Sequence, residues 1–259
     1  MTDTAPGSAP KMKLKYGKLA VKEDPRTFLF EKFIFGKLPE TPDVFDWSTK
    51  VADYGMRLND QYGCCAIAAA VHMIMTWTSL NGEMAQIPDE VVKQVYMAVS
   101  GFDGVNEDTD SGCIALDVLN YWRKNGIAGH KISAFAKINP KNHAHVLDGA
   151  FLDMGLFIGA RMPDNSQDQF IAGQPWSIVA GTQIEGGHAI NNVASWEENG
   201  VSKGLIIVTW GKEQKVTWEW WDANVDECYA IFSEDFIDSD KIAANNFNVD
   251  LLRQYINLL

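Results

Sequence analysis

The chain has 259 residues, with 22 Lys+Arg against 34 Asp+Glu and a formal net charge of -12. That acid surplus excludes unspecific nucleic-acid binding, which depends on Lys and Arg neutralising phosphates. Hydrophobic residues at 46% and charged residues at 22% are the balance of a globular protein with a good-sized core, and four cysteines are too few for a disulfide scaffold.

Residues 1 to about 25 carry Pro, Gly, Ser and five lysines with few large apolar groups, and are expected to form a mobile arm. The first ten residues lack the basic start and apolar block of a secretory signal, so a reducing, cytoplasmic setting is expected. Phe28, Leu29, Phe30, Phe33, Ile34 and Phe35 follow within eight positions. So aromatic a stretch should cover the main domain or anchor a protein partner. Pro39 and Pro42 end it as an extended connector.

From Gly63 the sequence CCAIAAAVHMIMTW is apolar on nearly every face and free of Gly and Pro, which predicts a central, buried helix starting near Cys65. A second helix is expected over 88–99, where Pro88 suits the first turn and Asp89 and Glu90 complement the dipole. A third is expected over 114–124, closed by Asn125-Gly126. Strands are expected at 131–138, 156–161, 188–196, 205–210 and 229–232, and a helix or tail at 249–259. Helices first and strands later is α+β organisation. No apolar run approaches the ~20 residues that cross a bilayer, so no membrane role is expected.

A thiol opening a buried helix is the most informative local feature. Free N–H groups and the positive dipole end stabilise a thiolate and the oxyanion formed when it attacks a carbonyl. Cys65 stands there, although most buried cysteines are inert.

The stretch DWSTKVADYGMRLNDQYGCCAIAA (46–69) resembles the N-terminal part of papain-like cysteine peptidases, in which an Asp-Trp pair leads through an oxyanion-hole Gln to a Gly-small-Cys segment. The resemblance makes Cys65, not Cys64, the nucleophile. DSGCIALDVLNYWRKNGIAGHKI (110–132) is similar to the substrate-cleft turn and its following helix, which implies a substrate-binding role for Gly112. MGLFIGARMP (154–163) resembles the next family strand. GGHAINNVASW (186–196) looks like the segment with the catalytic His, pointing to His188 with Gly187 at the substrate. VTWGKEQKVTW (208–218) resembles the Asn-Ser-Trp-Gly block, and the likeness runs from about 43 to 236, nearest to a bacterial and phage branch of the superfamily.

Two positions depart from the family. Asn59 stands at the oxyanion Gln position, with Gln61 a competing candidate, and Val208 stands where the family has its triad Asn. Valine cannot hold an imidazole, so Cys65 and His188 would act as a dyad or borrow an orienter such as Thr209. The resemblance implies acyl transfer on a peptide or protein substrate without metal or organic cofactor. The alternative is a lapsed papain-fold protein serving as a structural or binding component, even in a virion if the chain is phage-encoded.

The implied plan is an arm over 1–43, partly disordered, and a papain-like domain over 44–238. Its helical half (44–130) carries the cysteine, its antiparallel, β-barrel-like half (131–238) carries the histidine, and a tail follows at 239–259. The arm is short for the family's inhibitory propeptide, so no conventional zymogen is expected. His72 reads as a packed polar residue, His143 and His145 as a surface turn, and Cys113 and Cys228 as buried thiols. Trp218, Trp220 and Trp221 read as core or cleft wall, and the acidic run Asp103, Glu107, Asp108, Asp110 as a solvated loop.

Overall fold

The structure, a computed structural model, describes residues 14–32, 40–233 and 235. The expected helix or tail at 249–259 and the apolar residues Phe33, Ile34 and Phe35 lie outside the described residues. The chain enters through the two-residue strand β1 (Phe28–Leu29) and then builds its helical half. Helix α1 (Cys65–Leu80) is buried along almost its whole length, as an Ala-rich run apolar on every face requires. It ends at Asn81-Gly82, where Gly82 takes φ +119°. Helix α2 (Asp89–Ser100) starts after Pro88 with Asp89 and Glu90 in its first turn and stops at Gly101, φ +79°. Helix α3 (Ala115–Asn125) packs on α1 through Trp77 and Trp122, stacked at 5.7 Å.

The second half alternates strands and short helices: β2 (Ile132–Lys137), α4 (His143–Leu152), β3 (Leu156–Pro163), α5 (Ser166–Ile171), β4 (Ile184–Glu198), β5 (Val201–Thr209), β6 (Lys212–Thr217), α6 (Trp218–Asn224) and β7 (Val225–Ser233). The strands form one sheet in the order β1-β2-β7-β3-β4-β5-β6, antiparallel except where β1 joins β2. Helix α1 lies against β4, so the one helix that begins with a cysteine crosses the one strand that carries His188. This is the α+β arrangement expected, a helical half with a central cysteine-bearing helix beside an antiparallel sheet.

Three local readings are corrected. His143 and His145 open α4 rather than a surface turn: Asn142 caps the helix, His143 stacks on Trp218 at 4.0 Å, and its Nε2 meets Asp222 at 2.8 Å. Their polar, short-spaced start hid a helix whose buried side is Val146, Gly149, Ala150 and Phe151. Asp110 leaves the solvated acidic run and is buried in the helical half. Most consequential, residues 14–19 are not a mobile arm, because they lie hydrogen-bonded between the two halves.

Candidate active site

Gly63, at the turn before α1, lets Cys65 open the helix without a bulky neighbour; a Cβ on Gly63 would come within 3.1 Å of the Tyr16 carbonyl. The Cys65 thiol also receives the Ala189 N–H at 3.3 Å, so the helix start and strand β4 meet at sulfur. Cys65 and His188 are each 1% exposed. Burial pushes the thiol up to about 11, against the pull of the Ala189 N–H and of Lys18. Burial also lowers the His188 imidazole to about 3, so the thiol and the ring are both neutral in the closed site.

The imidazole is held from its far side. Thr209, at the end of β5, contacts His188 Nε2 at 2.7 Å, and Trp210 stacks on the ring at 4.7 Å. Val208 is buried in β5 opposite Asn191 and takes no part. Thr209 therefore does what Val208 cannot, and His188 Nδ1 is left buried with no hydrogen bond. Asn59 is buried, and its amide donates to the Tyr62 carbonyl at 3.2 Å, whereas Gln61 is exposed.

Residues 14–19 form a strap across this site. The Lys15 N–H donates to the Asn59 carbonyl at 3.1 Å, and Trp210 Nε1 donates to the Lys15 carbonyl at 3.2 Å. Tyr16 lies edgewise on His188 at 5.5 Å. The Gly17 and Lys18 N–H groups share the Gly187 carbonyl at 3.0 and 2.9 Å. Cys113 N–H donates to the Gly17 carbonyl at 2.7 Å, and the Leu19 N–H returns to the Cys113 carbonyl at 2.9 Å. The strap thus pairs in parallel with the segment after Gly112. Glycines make this approach possible. A Cβ on Gly17 would stand 1.9 Å from the Gly63 carbonyl, one on Gly112 2.1 Å from the Gly17 carbonyl, and one on Gly187 2.3 Å from the Lys18 carbonyl.

Asp110 mounts the helical wall. Its Oδ1 accepts from the Gly63 N–H at 2.9 Å and from the Tyr96 hydroxyl, while Oδ2 takes Lys15 Nζ at 3.0 Å. Tyr96 in turn accepts the Gly112 N–H at 3.0 Å. One carboxylate and one phenol thereby tie the turn before Cys65 to the loop carrying Gly112, and Cys64, Cys65, Cys113 and Cys228 are all free.

The residues singled out in the sequence come together: Cys65, His188, Gly187, Gly112 and Asn59 all border the strap or each other. Lys18, Tyr16, Asp110, Tyr96 and Glu227 were missed. The only sequence signal for the strap was Gly17 between aromatic and basic neighbours. His72 is packed as expected, its Nε2 on the Gly55 carbonyl at 3.0 Å. Among the described residues no His, Cys, Asp and Glu cluster could hold a metal, and no helix is long and apolar enough to cross a membrane.

No protein-family model matches the chain, nor does any curated protein sequence. Solved structures do resemble it. Xylellain, a cysteine protease from Xylella fastidiosa, superposes with a TM-score of 0.65 at 14% identity, covering 88% of this chain and 99% of its own. Procathepsin L2 from Tenebrio molitor larval midgut gives 0.61 at 12% identity over 86% and 80% of the two chains. Procathepsin B from Trypanosoma congolense gives 0.58 at 12% over 86% and 87%. The fold is that of the papain-like cysteine proteases.

Proposed function

We propose that the chain is a cysteine peptidase or related amidase whose cleft is closed by its own residues 14–19. One meeting of groups supports this reading above all: a helix-opening thiol against β4, with His188 on that strand and Thr209 on the ring's far nitrogen. A buried structural cysteine would not need an imidazole with one nitrogen tethered and the other kept free of hydrogen bonds.

In this reading His188 Nδ1 takes the Cys65 proton and the thiolate attacks an amide carbonyl carbon. The carbonyl oxygen becomes an oxyanion, stabilised by the Cys65 backbone N–H and the Asn59 amide, which would turn from Tyr62. The tetrahedral centre collapses, the C–N bond breaks and His188 gives its proton to the leaving amine. Water, deprotonated by the same imidazole, then attacks the thioester, releasing the acid and restoring the thiol. Thr209 holds the ring in place through both steps and does not react.

The strap must leave first, since it occupies the Gly187 carbonyl and the Cys113 backbone, the groups a bound peptide would use. The sequence expectation of a mobile arm without zymogen character gives way, in this proposal, to a latent form. The test is labelling with a thiol-directed epoxide in the full chain and in Gly17→Ala, whose added methyl cannot coexist with the Gly63 carbonyl. Selective Cys65 labelling that rises in Gly17→Ala and vanishes when His188→Ala is added supports the reading. If Cys65 of Gly17→Ala reacts no faster than free cysteine at neutral pH, the peptidase reading fails and a binding role replaces it.

A further inference from the structure

Lys18 is the least expected residue in the cleft. Its side chain is 2% exposed, with the ammonium 3.1 Å from the Asp226 carboxylate and 3.2 Å from Glu227 Oε1. A Leu19 carbonyl at 3.2 Å completes its partners. Glu227 is fully buried, and its other oxygen accepts from the Tyr229 hydroxyl at 2.9 Å. Burying a carboxylate is expensive unless a cation meets it, and the cation here arrives on a strap rather than from the surrounding core. Burial accordingly holds the Glu227 carboxyl above its ordinary range even with Lys18 pulling it down.

The pocket is built to admit such a side chain. Gly159 forms its wall: a Cβ there would lie 2.2 Å from Lys18 Cε and 2.5 Å from Glu227 Cγ. Gly159 is paired with Ala189 on one side and Glu227 on the other. Glu227 therefore stands two strand spacings, roughly 10 Å, from the residue whose N–H touches the Cys65 thiol. The backbone carrying Lys18 is anchored on Gly187, beside His188. A chain lying at the thiol and anchored on that carbonyl can deliver a long basic side chain to the acid pair.

We infer that the pocket formed by Gly159, Asp226 and Glu227 is a recognition site for a lysine or arginine side chain of the peptide on which Cys65 acts, with Lys18 as its resident plug. This rests on the peptidase reading for its biological sense, but binding can be measured without turnover. The strap and a basic peptide compete for one carboxylate pair, so the peptide that opens the cleft is also the one it selects. The acid surplus of the whole chain, -12, draws the same class of ligand.

The experiment uses the full chain with the plug removed, as Lys18→Ala and as Lys18→Met, which keeps the stem's packing. Probes are capped, amidated tripeptides carrying Lys, Arg, Leu or Glu at each position in turn. Their binding is read by calorimetry and by protection of Cys65 from iodoacetamide, and their cleavage is followed separately. At one position Lys and Arg should bind at least tenfold tighter than Leu, with Glu weakest, and adding Glu227→Gln should remove the difference. Lys18→Met/Glu227→Gln replaces the ion pair by neutral groups of similar shape, so loss of preference there is not loss of fold. Equal binding of Lys and Leu in both plug variants, or a preference that survives Glu227→Gln, overturns the inference. Selective binding without cleavage or epoxide labelling would uphold the pocket and sink the peptidase reading instead.

Discussion

The strap sends one lysine to each wall of the cleft, and the two carboxylates it meets are unlike. On the helical wall Asp110 already has donors of its own, the Gly63 N–H and the Tyr96 hydroxyl, and Lys15 is an addition. Burial pushes its carboxyl up, but Tyr96, Gly63 and Lys15 together hold it below the usual range. On the sheet wall Glu227 has only the Tyr229 hydroxyl besides Lys18, and burial wins. A carboxylate satisfied by its own scaffold is a mount, whereas one that needs a visiting cation is a receptor.

Evicting the strap separates the two most sharply and has the largest expected effect. Gly17→Ala should leave Asp110 bonded and Glu227 without its cation, and should uncover Cys65. Bringing the thiol from about 11 towards the ordinary value of about 8.5 raises the thiolate fraction at neutral pH by roughly 10²-fold. Iodoacetamide labelling of Cys65 at pH 7 should rise on that order, and an unchanged rate would mean the strap does not control the site.

Breaking the mount comes next. Asp110→Ala leaves the Gly63 N–H and the Tyr96 hydroxyl without their acceptor and should cost about 3 kcal/mol, a Tm drop on the order of 5–10 °C. Glu227→Gln in the Lys18→Met background should move the Tm by no more than a degree or two, because both partners of the pair are neutralised together. Equal losses for the two would erase the distinction between mount and receptor.

The wall that carries His188 offers a smaller effect. Thr209→Val removes the hydroxyl on His188 Nε2 and nothing else of size. Peptide cleavage by the opened chain should lose about tenfold in kcat with KM little changed, and Thr209→Ser should restore it. A loss confined to KM would assign Thr209 to substrate binding instead.

How much of this was legible in the sequence follows from the range of the forces involved. Helix α1 was readable because an Ala-rich apolar run leaves a chain little choice, and the strands that carry His188 and Thr209 because their apolar, β-branched runs fit little else. Helix α4 hid behind a polar start and an internal Gly149. The strap was unreadable because it is held by backbone hydrogen bonds and glycine contacts, which leave no hydrophobic period. Lys18 and Glu227 are 209 positions apart, so nothing local to Lys18 could say it would be buried. Asp110 looked solvated for the same reason: its partners Gly63 and Tyr96 are distant along the chain.

Acid should open the two ends of the strap in order, which is the finest test of the contrast. Gly159 and Tyr229 of its own sheet wall in Glu227, so the ammonium is the charge that docking adds, and it pulls that carboxyl down relative to the open cleft while burial still holds it above its ordinary range. A group depressed by docking contributes to it above the undocked value, and the contribution is lost as pH falls through the docked one. For Glu227 that window lies above 4.5; for Asp110, held below 3.8, it lies lower. Asp226 and Tyr229, the other groups facing Glu227, do not reverse the sign, since Asp226 shares the ammonium and Tyr229 stays protonated in acid. Hydrogen exchange between pH 7 and pH 4.5 should therefore show the Gly17 and Lys18 amides losing protection while the Lys15 amide, bonded to Asn59, keeps its own. Glu227→Gln should flatten that step, and simultaneous loss at both ends in the native chain would mean that the strap is held as one piece rather than by a mount and a receptor.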